Sequence, residues 1–195
     1  MAAPTFDPLV DLDGLWTTEL AERYLPIPGM PAAKYECLDG RLYVSPYESS
    51  ANSYAAGSLL AVMRQAARGT GARVYGTVNL PVHPGRWIQP DVTVLTEPAG
   101  GGVWVPASLV MMPVKLVSPS SRKRDRIDKP ALRAELGIPH YMEAEIPPQR
   151  STATVRLLKL DGSSYAEHAS VIAGHLFETD LPFLMSFDPV ELLDL

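Results

Sequence analysis

Through residues 51–68, ANSYAAGSLLAVMRQAAR, apolar positions recur at helical spacing: Ala55, Leu59, Val62, Met63 and Ala66 share one face. The pattern predicts a helix there, stopped by Gly69 and Gly71. Elsewhere the period shortens to two. KYECL and RLYVS flank Asp39-Gly40, a pair suited to a turn whose two central residues need positive φ, so a hairpin is predicted. A second Asp-Gly pair, Asp161-Gly162, predicts another within STATVRLLKLDGSSYAEHASVI. ARVYGT, VNLPVH and WIQPDVTVLT are β-rich pieces separated by turn residues, and PHYMEAEI predicts a further strand. SLVMMPVKLVSP is apolar almost throughout, as suits a central strand covered on both faces. Pro113 cannot donate to a ladder, which marks the first half of that strand as an edge or a bulge.

The remaining segments are shorter. Residues 1–30 read as an arm with a helix over TELAERYL, capped by Thr17 or Thr18 and ended by Pro26 and Pro28. EPAGGGVWVP reads as a loop. SRKRDRIDKPALRAELG is helical in pattern with Gly137 as its stop, and Pro130 either sets the start near Asp128 or kinks the helix. The tail FETDLPFLMSFDPVELLDL reads as a turn and a short helix. No repeat or internal linker is visible, so residues 31–195 form one predicted domain behind the arm. The order of hairpin, helix, central strands, helix, strand and hairpin predicts an α/β fold with a mixed sheet. Ligands on such sheets gather at strand ends.

Composition narrows the classes. The chain has 195 residues, 46% hydrophobic and 20% charged, which suits one folded domain. Its 19 prolines are dispersed and read as strand ends and rigid turns. The formal net charge of −5 argues against a surface coated in positive charge for non-specific nucleic-acid binding, while leaving room for a local basic patch. A single cysteine, Cys37, excludes an intrachain disulfide and a thiolate metal cluster, and reads as a small buried residue. The first residues lack the basic start and apolar run of a signal peptide, and no stretch approaches the roughly 20 apolar residues of a membrane span. The expectation is a soluble cytoplasmic protein with no membrane partner.

Four features could carry chemistry. Asp91 sits inside the apolar strand QPDVTVL, where a carboxylate is either a metal ligand or a hydrogen-bonded structural group. Lys115 interrupts an apolar run that would normally exclude a charge. The block Arg122, Lys123, Arg124 and Arg126, with Lys129 behind it, follows a Ser-Pro turn and reads as a phosphate-binding patch or a solvated helix face. Glu36 is the only acid in its strand-like segment. Other chemistries find no support. VSPSS around Ser118 lacks the glycines of a nucleophile elbow. His83, His140, His168 and His175 have no metal-ligand spacing. The glycines at 100–102 lack the Lys-Ser/Thr that completes a phosphate-cradling loop.

Taken in order, these segments resemble the Uma-two-type restriction endonuclease family, within the PD-(D/E)XK nuclease superfamily. YECLDGRLYVSP resembles its opening hairpin and QPDVTVL its PD motif. VKLVSPSSRKRDRIDK resembles its Glu-Val-x-Ser-Pro-Ser segment with a following Asp and Lys, and ELGIPHYM its Ala-Gly-Val-Pro-Glu-Tyr-Trp segment. The resemblance covers about residues 33–190. It implies a restriction-endonuclease-like core, with a central mixed β-sheet flanked by helices, that hydrolyses DNA phosphodiesters with one or two Mg²⁺ ions. Asp91 would be the first metal ligand, Glu36 an auxiliary acid, and Lys129 the helix-borne lysine that positions the attacking water. DNA would be the partner, and a homodimer would address both strands.

One departure bears on all of this. The family's second metal-binding acid falls on Lys115. A charge of +1 about 4 Å from a divalent ion is repelled by about 8 kcal/mol at an effective dielectric near 20. The expectation is therefore that Lys115 takes the metal's place, its ammonium pairing Asp91 and Glu36, with Mg²⁺ needed only if the site remains active. Asn52 stands where the family has a histidine, Met142 where it has a tryptophan, and Pro130 directly follows Lys129. Three readings follow: a metal-dependent nuclease in which Glu48 replaces the lost ligand; a non-catalytic nucleic-acid- or protein-binding domain on the same fold; or a partner-binding domain with no nucleic-acid role.

Overall fold

The computed structural model describes residues 6–31, 33–45, 48–117, 134–147 and 151–195. Its main body is a six-stranded sheet. The strands are β3 (Arg73–Tyr75), β6 (Val92–Leu95), β7 (Val110–Val117), β8 (His140–Glu145), β9 (Thr154–Asp161) and β10 (Ser164–Ile172), in spatial order β10-β9-β8-β7-β6-β3. Only β7 and β8 run parallel, which makes the sheet mixed. A parallel pair needs a crossover. Here that connection spans 118–139, so the helix expected over 121–137 falls mostly outside the described residues. Gly137 does take a left-handed φ of 66°, as a helix stop does.

A second, four-stranded sheet has the order β2-β1-β5-β4, built from β1 (Lys34–Leu38), β2 (Arg41–Ser45), β4 (Leu80–His83) and β5 (Arg86–Ile88). The β1–β2 hairpin forms as its dipeptide predicts: Leu38 pairs with Arg41, and Asp39 and Gly40 have φ of 53° and 76°. In the β9–β10 hairpin Asp161 pairs with Ser164, so the loop is Gly162-Ser163, one residue beyond the predicted pair.

The long helix α3 (Ser50–Ala66) is rich in Ala, Leu, Met and Gln, all good helix formers, and Ser49 Oγ caps it by accepting from Asn52 N at 3.2 Å. Ala55, Leu59 and Met63, one helical turn apart, are fully buried against Val92, Val94, Met112, Val114 and Leu116 of the sheet. Burial of each larger side chain stabilises by about 1.5–3 kcal/mol. From Met112 to Leu116 the even-numbered residues of β7 thus face α3, while Val110, beyond a register shift, packs in a separate cluster with Leu80, Ile88 and Leu95. Lys115, between Val114 and Leu116, faces the other way.

Two shorter helices precede this core, α1 (Pro8–Asp11) and α2 (Thr18–Tyr24), the latter capped by Thr17 Oγ1. Trp16, Ala21 and Ile27 pack there against Tyr35, Cys37 and Trp87 of the small sheet. Pro113 does not lie at a sheet edge: it pairs with Thr93 in the middle of the large sheet. The irregularity it signalled is beside it, a register shift where Val94 meets Met112 and Leu95 meets Val110. The tail also departs from expectation. Phe177–Thr179 (β11) and Met185–Phe187 (β12) form a two-stranded hairpin, followed by a 3-10 turn at Pro189–Leu192. Among the described residues no helix is long and apolar enough to cross a membrane.

Candidate active site

Asp91 precedes β6, and the antiparallel ladder decides what it meets. Val92 pairs with Val114, so one step further along Asp91 comes opposite Lys115. Lys115 Nζ donates to Asp91 Oδ2 at 2.8 Å, and the backbone N of Leu116 donates to the same oxygen at 2.7 Å. The Asp91 side chain is only 3% exposed and that of Lys115 only 9%. A charge so far from water must be paired to be tolerated, and each supplies the other's partner. The pairing of Lys115 with Asp91 expected from the sequence is therefore present.

The other oxygen of Asp91 is also taken. Lys34, first residue of β1, crosses from the small sheet to pair its Nζ with Asp91 Oδ1. The same ammonium donates to Glu48 Oε1 at 3.1 Å, and Asn52 Nδ2 donates to Glu48 Oε2 at 3.1 Å. The resulting chain is Asn52–Glu48–Lys34–Asp91–Lys115, with a single acid held between two ammoniums. Burial works to raise the Asp91 pKa, but the neighbouring Lys115 and Lys34 overcome it and hold the carboxyl below its ordinary value. Burial likewise works to lower Lys34, and Asp91 followed by Glu48 raise it above its ordinary value. Both groups are charged at neutral pH.

Glu36 lies on the same side of β1 as Lys34, two residues along. It is buried, and its Oε1 accepts from Gln89 N at 2.9 Å. It thus fixes the chain two residues ahead of Asp91. The structure gives Lys115 an ion pair with Asp91. Lys129 and the basic block Arg122, Lys123, Arg124 and Arg126 lie outside the described residues.

Comparison with known proteins decides the family. The model of Uma2, described as "putative restriction endonuclease", matches residues 21–184. The chain belongs to the Uma2 family. Among solved structures it is similar to a putative nuclease from Anabaena variabilis ATCC 29413, with 13% identity, a TM-score of 0.59, and coverage of 88% of this chain and 95% of that one. At that identity the likeness concerns the fold, which is the nuclease-like mixed α/β architecture expected. No curated protein matches the chain.

The resemblance implies a metal ligand at Asp91, so the donor set here can be tested for fit. A divalent ion of the Mg²⁺ kind is held by oxygen ligands, chiefly carboxylates. Here both carboxylate oxygens of Asp91 already accept from ammoniums. Among the described residues no group of three His, Cys, Asp or Glu side chains is placed to share an ion. The residues described do not fit a metal.

Sequence reasoning missed two members of this region. Lys34 escaped because its partner comes from a different sheet; its one sequence signal is its spacing of two from Glu36. Glu143 was passed over in a strand that carries a second acid, Glu145. Glu143 is buried, pairs in register with Lys115 on one side and Arg156 on the other, and has partners of its own. Asp91, Lys115, Glu143 and Arg156 thus form a row of alternating charge across four neighbouring segments of the sheet. Opposite charges so placed across strands stabilise, by about 0.2–1 kcal/mol a pair.

Proposed function

We propose that this chain is an Uma2 protein whose hydrolytic site is closed by its own side chains, leaving a nuclease fold that acts by binding nucleic acid. The observation that supports this reading is the double occupation of Asp91 by Lys34 and Lys115. In the hydrolysis that the family's description implies, Asp91 would help hold a metal ion, which would supply polarisation of a DNA phosphodiester and a more acidic attacking water. Two ammoniums on the first ligand supply the charge that holds the fold together but no site for that water. Glu48, the acid nominated to replace the lost ligand, reaches this region only through Lys34. It supports the lysine rather than an ion.

The test is a plasmid-cleavage assay with the purified chain in Mg²⁺ or Mn²⁺. No cleavage that depends on Asp91 is expected. Metal-dependent nicking that disappears in Asp91→Ala would overturn the proposal in favour of an active nuclease. The formal charge of −5 favours a second reading, a partner-binding domain without nucleic acid. Failure to bind duplex or single strands at low salt, where phosphate contacts are strongest, would select it.

A further inference from the structure

Away from Asp91, where α3 ends, a pocket of about 420 Å³ opens between the helix and β3. Arg64, Arg68 and Arg73 line it, over a floor that includes Ala67, Ala72 and Val74. Three guanidiniums around one hollow are unusual in a chain with a net charge of −5. The helix carries no acid from Ser50 to Ala66, and none follows before β3 ends at Tyr75. None of the three arginines joins an ion pair among the described residues, although Arg64 and Arg68 stand one turn apart, where like charges repel. The carbonyls closing a helix amount to about half a negative charge, which accounts for one cation and not three.

Two of the arginines are also held in place. Arg64 Nε donates to Val74 O at 3.0 Å, and Arg73 Nη1 donates to Gly71 O and Ala72 O at 2.8 and 3.0 Å. Those bonds use Nε of one guanidinium and one terminal nitrogen of the other. The remaining N–H groups can still reach a ligand, and a guanidinium's fork geometry matches phosphate oxygens. We propose that this pocket binds a phosphate group. It is a separate site from the ion cluster. α3 starts beside Glu48 and ends at the pocket, and its 17 residues set the two about 25 Å apart. The phosphate belongs either to a small phosphorylated molecule or to a nucleic-acid backbone; the second source rests on the nucleic-acid reading above, the first does not.

The test is calorimetric titration at low salt with inorganic phosphate, adenosine monophosphate and a duplex of about 20 base pairs. The natural chain is compared with Arg64→Gln/Arg73→Gln and with Arg68→Glu, which leaves both backbone ties intact. Binding of at least one probe is expected to weaken about tenfold or more in both variants. Loss with phosphate or the mononucleotide identifies a free phosphate ligand. Loss with the duplex alone, with a salt slope reduced by about 0.9 for each phosphate contact removed, identifies a backbone contact. Equal binding by natural and variant chains, or no binding of any probe by the natural chain, overturns the proposal. Metal-dependent cleavage at Asp91 would sink the closed-site reading and leave this pocket untouched.

Discussion

At Asp91 one carboxylate answers to two ammoniums, and its removal should be far more costly than an ordinary surface change. Asp91→Asn leaves Lys34 and Lys115 facing each other with no anion between them. A loss of about 3–5 kcal/mol in urea unfolding is expected. Glu48→Gln removes a partner that is 34% exposed and should cost under about 1 kcal/mol by the same measurement. The pH dependence has a definite sign. The pKa of Asp91 lies below its ordinary 3.8 in the folded chain, so its stabilisation is present above that pH and lost as pH falls through the folded value. Lys34 lies above its ordinary 10.5, so its contribution is complete below that pH and lost as pH rises through the folded value. Stability measured against pH should hold between these limits, with an acid limb that flattens in Asp91→Asn. Cys37 belongs to the same scale. Burial pushes its thiol up to about 11, and Sγ donates to Gly85 O at 3.2 Å. A thiol reagent at neutral pH should react with it only after unfolding.

Strands and helices whose signals are local were legible before any coordinates. α3 announced itself by Ala55, Leu59 and Met63 one turn apart, and these are buried together with Ala51, while Val62 and Ala66 of the predicted face are only partly so. Leu59→Ala should cost about 2–5 kcal/mol in thermal or urea unfolding, and Val62→Ala, only partly buried, distinctly less. The β1–β2 turn was legible in Asp39-Gly40, and the structure adds a second constraint on the glycine. A Cβ at Gly40 would lie 2.4 Å from Gly14 O, on a backbone of φ 76°. Gly40→Ala should therefore destabilise by more than about 2 kcal/mol, since left-handed strain and a backbone clash combine. What was not legible is non-local. β5 joins β1 through the single rung Cys37–Trp87, which no pattern within either segment specifies. The β11–β12 hairpin was missed because the tail reads as a turn and a short helix. The alternation of Phe177 with Thr179, and of Met185 with Phe187, is too short to outweigh that reading.

Across the whole molecule the candidate site divides the same way. Asp91 and Lys115 could be paired beforehand because the family resemblance sets both at metal-ligand positions, and the structure adds that they meet across adjacent antiparallel segments of one sheet. Lys34 could not, because its approach depends on how the small sheet is set against the large one. That placement turns a simple pair into a closed cluster, adding a second ammonium to the displacement of a metal that Lys115 alone led one to expect. Calorimetric titration of Mn²⁺ tests this most directly, using the natural chain, Lys34→Ala/Lys115→Glu, and that double variant carrying Asp91→Asn as well. The natural chain is predicted to give no saturable heat, the double variant to bind, and the triple variant to lose binding again. Saturable Mn²⁺ binding by the natural chain that vanishes in Asp91→Asn alone would contradict the account.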